Sequence, residues 1–196
     1  IGYQFNGWDK KFDNITASSV TVNATWKANN YTIIYDKNSS EATGSTAAQG
    51  MTYDIAAQLN KNGFSRQGYA WAGWSVTPNG PTKYSDEQNV KGLTEISGAI
   101  VTLYAVWQPN SYTIVYDKND SDNGATKASG NMQNQTISYG MRTKLNKNQF
   151  SRVGYAWNGW NTRKNGSGTG YCDQQEIINL TKEGLLYRVQ GKGTFV

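Results

Sequence analysis

The feature that most constrains this chain is an internal repeat. The segment Tyr31–Asn38 recurs almost unchanged as Tyr112–Asn119, 81 positions later. A longer block, Leu59–Trp74, recurs as Leu145–Trp160 at an offset of 86 positions, so five residues are inserted between the two blocks. Because repeated segments fold as repeated structural units, we expect small modules in tandem, each of which closes its own core.

A third, partial copy opens the chain. Gly2–Trp8 matches the Gly-Tyr-Ala-Trp-Ala-Gly-Trp block, and Trp26 stands just before a repeat, as Trp107 does. The sequence is therefore divided into a partial N-terminal repeat at residues 1–30, a complete repeat at 31–109, and a repeat with an altered C-terminal strand at 110–196.

Apolar residues within each repeat alternate with a period of two, which is typical of β-strands. The clearest run is Val101–Trp107. Met51–Ile55 and its counterpart Ile137–Met141 keep the same spacing although their residues differ. Because the alternation survives sequence change between repeats, these segments are predicted to be strands.

The repeated glycine and aromatic block breaks this alternation. Tyr69 and Trp71 share one face, whereas strict alternation would place Trp74 on the other, so Gly73 is the expected position of a β-bulge. Large aromatic side chains fill the core of a small module efficiently. We assign a structural role to Tyr69, Trp71, Gly73, Trp74, Trp107, Tyr155, Trp157, Gly159 and Trp160.

One short helix is also predicted in each unit. Asp173–Glu176 has the spacing of a capping box, and Ile177 and Leu180 follow at positions i and i+3. Asp86, Val90 and Leu93 repeat this design in the earlier copy. The predicted fold class is therefore mainly β with a short helix per unit, an α+β module.

The ordered motifs resemble a known family. The Gly-Tyr-x-aromatic-x-Gly-Trp block, a later Tyr-x-Asp, then Leu-Thr and the run Val-Thr-Leu-Tyr-Ala-Val-Trp107 are similar to the Listeria/Bacteroides repeat, the B-repeat of internalin-type surface proteins. The resemblance covers nearly the whole chain. It implies a β-grasp-like module, repeated in tandem in secreted or wall-attached bacterial proteins as stalk or adhesion segments.

Two positions depart from the family pattern. The aromatic residue after Gly-Tyr-x is Trp71 and Trp157 here, whereas the family usually has Phe, as at Phe5. At the C-terminal end Leu186–Gln190 stands where Leu103–Trp107 stood, so Gln replaces the closing Trp. The last strand of the third unit is therefore expected to be altered.

Composition excludes most enzyme templates. The chain has no His and a single Cys, Cys172, which removes imidazole chemistry, an internal disulfide and the usual zinc and iron–sulfur ligand sets. No apolar run approaches the about 18 residues of a membrane-spanning helix. We expect no enzyme activity, no cofactor, no nucleic-acid partner and no direct membrane insertion.

Three kinds of candidate site compete with structural roles. Trp and Tyr rings stack on sugars in some proteins, but core packing is favoured here. Asp117–Gly124 is rich in oxygen ligands, yet a calcium loop counted from Asn119 has Gly130 in place of the bidentate acid, which favours an Asx turn. Glycoside hydrolysis needs paired acids, but the candidates Asp36 and Asp86 recur as Asp117 and Asp173, so turn and helix-capping roles explain them.

The net charge of +5 comes from the last part of the chain. Residues 1–109 carry eight Lys and Arg against eight Asp and Glu, whereas residues 110–196 carry eleven against six. If these cations share one face, they are expected to attract wall polymers or other polyanions. The alternative interpretation is a solvated basic surface with no dedicated ligand. The candidate contacts are Arg142, Lys144, Lys147, Arg152, Arg163 and Lys164.

The leading functional hypothesis is a non-enzymatic segment of an extracellular or wall-attached bacterial protein that serves as a stalk and contacts an unidentified surface partner. Only four residues separate Trp107 from Tyr112, so a semi-rigid rod is expected. Incomplete terminal repeats leave unpaired sheet edges, which predict head-to-tail association into filaments, unless neighbouring sequence supplies the strands. The second hypothesis is a carbohydrate- or anionic-polymer-binding module.

Overall fold

The computed structural model describes residues 1–11, 16–121 and 126–179 in full, and the backbone of 187–195. Within these residues every regular element is a β-strand. The chain divides into two compact units, of which one comprises Ile1–Arg66 with Trp71–Trp107 and the other Gln67–Ala70 with Gln108–Val196.

The strands follow the repeats in the sequence. The partial repeat contains β1 (Tyr3–Trp8) and β2 (Ala24–Ala28). The first complete repeat contains β3 (Asn30–Asp36), β4 (Thr43–Gly44), β5 (Gln49–Thr52), β6 (Ala57–Gln58), β7 (Phe64–Ser65), β8 (Tyr69–Ser75), β9 (Asn89–Val90) and β10 (Ile100–Pro109). The second contains β11 (Ser111–Asp117), β12 (Gln135–Ser138), β13 (Arg142–Lys144), β14 (Tyr155–Asn161), β15 (Gly170–Tyr171), β16 (Glu176–Ile178) and β17 (Tyr187–Phe195).

Both complete repeats are built around the same mixed sheet. In the first repeat the strand order is β5-β3-β10-β8, and in the second it is β12-β11-β17-β14-β15. The opening strand pairs in parallel with the closing strand, β3 with β10 and β11 with β17. The neighbours outside each parallel pair are antiparallel where their register is defined, as for β3 with β5 and β14 with β17.

Equivalent side chains form the two cores. In β3 the alternation buries Tyr31 and Ile33 on one face, as period-two spacing predicts. The buried core of the first complete repeat consists of Tyr31, Ile33, Met51, Leu59, Trp74, Val90, Leu103 and Ala105. That of the second consists of Tyr112, Ile114, Tyr116, Ile137, Leu145 and Trp160.

The expected bulge in the aromatic block is present. In the second repeat the register between β14 and β17 shifts between Trp157 and Trp160. Gly159 has a φ of 103° and Gly73 one of 130°, values that L-residues with a side chain rarely adopt. The shift turns the second Trp of each block inward, and Trp74 is 0% exposed.

The predicted short helices are wrong: the described residues of both repeats are all-β rather than α+β, and Leu180 of the second predicted helix lies outside them. A hydrogen bond of the capping-box type forms one residue earlier than predicted, because the Cys172 N–H donates to Gln175 Oε1 at 2.8 Å, whereas Asp173 Oδ1 accepts the Asn148 N–H. However, Gln174 has a φ of 53°, in the left-handed region, so the chain does not continue from this turn into a helix. The apolar Ile177 then enters β16 and pairs with Thr143 of β13. A turn and a short strand therefore replace the predicted helix in the described part of the connection between the parallel strands.

The closing strand of the second repeat lies inside its sheet. Tyr187 of β17 stands opposite Ile114, as Val101 of β10 stands opposite Ile33. Tyr187 is therefore the structural counterpart of Val101. The match of Leu186 to Leu103 made from the sequence is displaced by three residues. A closing strand is therefore present in the second repeat, and head-to-tail association stays a prediction.

Residues 31–109 are predicted to fold on their own when excised, because every buried residue of the first core lies between Tyr31 and Ala105. Circular dichroism is expected to give a β spectrum and heating a cooperative transition. A non-cooperative melt would show that these boundaries cut through the folding unit.

Candidate functional surfaces

The aromatic motif packs inside the repeats. Trp71 and Trp157 are half-buried, and each contacts the fully buried Trp of its own block edge-to-face, with ring centroids 5.3 and 4.5 Å apart. The Trp107 indole N–H donates to the Lys37 carbonyl at 2.8 Å. These contacts occupy the rings in structural roles, in the arrangement that aromatic pairs prefer.

The acidic residues that follow the opening strands form Asx turns. The Asp36 carboxylate accepts the Asn38 N–H at 2.6 Å, and the Asp117 carboxylate accepts the Asn119 N–H at 2.7 Å. Asn38 and Asn119 have φ values of 52° and 53°, which Asn tolerates in turns. Residues 122–125 of the calcium-like stretch lie outside the described residues, and the described part of the chain contains no group of three or more metal-ligating side chains.

The second copied acid pair also serves the backbone. Asp86 Oδ1 accepts the Asn62 N–H at 2.8 Å, and Asp173 Oδ1 accepts the Asn148 N–H at 2.7 Å. Each carboxylate therefore satisfies a partly buried donor that would otherwise lose its hydrogen bond. Duplication of the acids follows from duplication of the turn.

Each complete repeat has a partly buried Tyr hydroxyl with a raised pKa. The Tyr35 hydroxyl donates to Gln49 Oε1 at 2.7 Å and accepts the Asn60 N–H at 2.9 Å. Burial raises the pKa of this hydroxyl, and the hydrogen bond from Asn60 opposes the rise. Burial raises the pKa of Tyr116 in the same setting. Both hydroxyls therefore stay neutral near pH 7 and act as structural cross-links.

The six predicted cations occupy different local settings. Arg142 and Lys144 lie on β13, where Arg142 forms an exposed ion pair with Glu176 at 3.1 Å. Lys147 is exposed. Arg152 Nε donates to the Thr126 carbonyl at 2.9 Å, and its guanidinium lies 4.1 Å from the centre of the Tyr155 ring.

Arg163 and Lys164 lie together at an open cleft. The cleft has a volume of about 620 Å³ and is lined by Asn119, Arg163, Lys164 and Asn165. The Asn119 side chain holds one wall in place, because its Nδ2 donates to the Lys164 carbonyl at 3.0 Å. In the first repeat the equivalent donation runs from Asn38 to the carbonyl of Pro78, so Lys164 stands in the place of a proline.

Two further residues of this cleft, Asn119 and Asn165, were not predicted as contacts from the sequence. The recurrence of Asn38 as Asn119 was visible, but its bond to a loop 45 positions away depends on tertiary structure. We call Asn119, Arg163, Lys164 and Asn165 the basic cleft.

Two all-β repeats with matched cores and matched turns define a tandem-repeat protein built from small modules. The family model of the Listeria-Bacteroides repeat domain matches residues 31–106 and again residues 112–187. The chain therefore belongs to the Listeria-Bacteroides repeat domain family, which confirms the resemblance seen in the sequence. Repeats of this family occur in bacterial surface proteins.

Two proteins of Evansella cellulosilytica are similar to this chain. One, provisionally named a membrane protein, is 28% identical over 181 residues, which cover 85% of this chain and 24% of the relative. The other, provisionally named a Gly-rich membrane protein, is 31% identical over 119 residues, which cover 60% of this chain and 13% of the relative. No solved structure matches the chain. Among the residues that the structure describes, no helix has the length and hydrophobicity to cross a membrane.

Proposed function

We propose that the chain is a non-enzymatic stalk or adhesion segment of a bacterial cell-surface protein. The observation that carries the proposal is the use of the same side chains in both repeats. Trp74 and Trp160 fill cores, and Asp86 and Asp173 accept backbone N–H groups. A catalytic site is not expected to be copied in every repeat. Structural residues are expected to be copied, because each module needs them to fold.

Localisation and ligand binding test this proposal together. Antibodies raised against the chain are expected to label intact, unpermeabilised cells of the bacterium that produces it. The purified chain is expected to leave a glycan array unoccupied if its role is that of a spacer. Labelling that appears only after permeabilisation would contradict the surface location, and selective binding to one class of glycan would contradict the spacer role.

The connections between the strands of consecutive repeats are short, and the semi-rigid rod that the sequence predicts stays a prediction. A single residue, Asn29, separates β2 from β3, and Asn110 alone separates β10 from β11. Short linkers leave few rotatable backbone bonds between neighbouring repeats. Small-angle X-ray scattering in solution tests the expectation.

Binding of an anionic polymer is the second candidate function, and the basic cleft favours it. Its two cations replace Thr77 and Pro78 of the first repeat, so this charge is an addition to the repeat fold. Both side chains are exposed, so a polyanion has direct access to them. Opposite charges attract at short range and are screened by salt.

The double variant Arg163→Thr/Lys164→Ala is expected to elute from an anionic matrix at clearly lower salt than the unaltered chain. The matched control is Lys61→Ala/Lys83→Ala, which removes two exposed cations from the first repeat. If net charge alone governs retention, both variants will shift equally, and the cleft has no special role.

A further inference from the structure

The loop that follows β14 carries the two cations of the basic cleft and is held in one shape by a buried amide. Asn161 is the last residue of β14 and is 4% exposed. Its Oδ1 accepts the N–H groups of Arg163 at 2.9 Å and of Gly168 at 3.1 Å. Its Nδ2 donates to the carbonyls of Gly166 at 3.2 Å and of Gly168 at 3.1 Å. All the donors and acceptors of this side chain are therefore used to hold the loop.

The first repeat has a simpler form of this loop. Ser75 stands in the place of Asn161, and its Oγ accepts the Thr77 N–H at 3.2 Å, as the amide accepts the Arg163 N–H. A hydroxyl group has a single donor, so Ser75 cannot supply the two bonds that the amide donates. The second repeat therefore combines a better supported loop with added positive charge.

The two cations on this loop lack a neighbouring counter-charge. Arg163 and Lys164 are adjacent and exposed, and among the described residues neither side chain forms an ion pair. The acids beside Asn119 in sequence, Asp117 and Asp120, each direct a carboxylate oxygen to a backbone N–H group. Two cations held side by side repel each other, so an anion that contacts both is attracted by both.

Asn165 adds a neutral donor beside these cations. Its Oδ1 accepts the Ser167 N–H at 3.1 Å and the Ser167 hydroxyl at 2.7 Å, so Nδ2 is the end of the amide that stays available to a ligand. The described lining of the cleft therefore contains a guanidinium, an ammonium and an amide. One guanidinium satisfies a planar carboxylate, whereas a tetrahedral phosphate accepts hydrogen bonds from several directions. This set of donors therefore suits a phosphate group.

We propose that the basic cleft, with its loop supported by Asn161, binds the phosphate groups of a phosphodiester polymer. Arg163 and Lys164 supply the charge, and Asn165 supplies a directional donor. The cleft volume of about 620 Å³ is in the range of sites for ligands larger than a single ion, so the cleft has room for a segment of a polymer. The proposal rests on the second candidate function, anionic-polymer binding, and adds the chemical class of the anion and the residue that preorganises the site.

Calorimetric titration of the full chain compares two probes, a glycerol-phosphate oligomer and an oligoglutamate with the same number of charges. The phosphate probe is expected to bind about fivefold more tightly or better. Equal affinities that Arg163→Thr/Lys164→Ala abolishes would overturn the choice of phosphate and leave anionic-polymer binding standing, whereas binding of neither probe would contradict both. Vesicles that contain phosphatidylglycerol present phosphate on a surface, and tighter binding to them would assign the site to a lipid headgroup and overturn the polymer.

The variant Asn161→Ser tests the support of the loop without a change of charge. It installs the residue of the first repeat, keeps an acceptor for the Arg163 N–H and removes the bonds to Gly166 and Gly168. The glycerol-phosphate oligomer is expected to bind about three- to tenfold more weakly, because binding must then order the loop. A circular dichroism melt checks that the second repeat is folded. Unchanged affinity in the folded variant would show that charge alone attracts the polymer, which overturns the preorganised site.

A second variant, Asn165→Asp, leaves the buried amide in place. It keeps an acceptor for Ser167 and replaces the amide donor with a carboxylate, so the glycerol-phosphate oligomer is expected to bind at least about tenfold more weakly. The matched control is Asn79→Asp, which makes the same change of charge at the equivalent position of the first repeat and is expected to alter the affinity by less than about twofold. Equal losses in the two variants would show that net charge governs binding, and the proposal would be overturned.

Discussion

Replacing Trp74 with alanine is expected to lower the free energy of unfolding of the first unit by about 3–5 kcal/mol. The ring is 0% exposed and packs against Tyr35, Phe64 and Trp71, so its removal leaves a cavity in a small core. Urea unfolding followed by circular dichroism measures the loss without relying on the fluorescence of the deleted Trp.

The same motif supplies a matched control. Trp8 holds the equivalent place in the partial repeat and is 53% exposed, so Trp8→Ala is expected to cost under about 1 kcal/mol. Trp160→Ala is expected to destabilise the second unit as strongly as Trp74→Ala does the first, because Trp160 is 1% exposed. Similar losses for Trp8 and Trp74 would contradict the conclusion that burial decides how much each ring contributes to stability.

The strands and the bulge were predictable from the sequence because they are local. Period-two alternation marks strand faces directly, and a Gly between two Trp residues marks the point where alternation breaks. Repetition made both signals stronger, since Trp71–Trp74 and Trp157–Trp160 agree. The cores follow, because the alternating residues are the ones that a sheet buries.

The helix was mispredicted because one residue in each segment adopts a left-handed backbone conformation, which stops a helix. The sequence gives no sign of this conformation. Glu87 and Gln174 adopt φ values of 52° and 53°, although neither is Gly, Asn or Asp. The hydrogen bond of the capping-box type joins Cys172 and Gln175, one residue before the predicted pair. Val90 and Ile177, which the predicted helix would have buried, lie instead in short strands. Val90 pairs with Ala57, and Ile177 pairs with Thr143. Tertiary pairing outweighed local propensity here.

The basic cleft shows the limit of sequence reasoning about sites. Arg142, Lys144, Arg163 and Lys164 stand where the first repeat has no cation, whereas Lys147 and Arg152 match Lys61 and Arg66. Comparison of the repeats does not reveal that Arg163 and Lys164 line one cleft with Asn119. The aromatic motif places Trp74 and Trp160 in cores, whereas Trp8 of the first copy is 53% exposed. A motif specifies the ring positions, and the surrounding structure determines their burial.

The second large effect is expected at Gly68, where the chain turns against an aromatic ring of the second unit. Gly68 has a φ of 77°, and a Cβ at this position would overlap the Tyr139 ring. The Asn110 N–H donates to the Gly68 carbonyl at 2.9 Å, and the neighbouring Tyr69 ring contacts Tyr139 edge-to-face at 5.6 Å. The turn is therefore fixed on both sides and has little freedom to move away.

Gly68→Ala is expected to destabilise the second unit by about 2–5 kcal/mol, from about 1–2 kcal/mol of backbone strain and about 1–3 kcal/mol of overpacking. Gly154→Ala is the matched control, because Gly154 has a φ of 81° but no atom within 4 Å of the added Cβ. The control is expected to show the backbone strain alone, so the difference between the two variants measures the contact with Tyr139. The double variant Gly68→Ala/Tyr139→Ala should lose this difference, since the overlap no longer exists. Equal urea midpoints for the two single variants would mean that the ring moves aside at no cost, and the glycine would then serve only the backbone conformation.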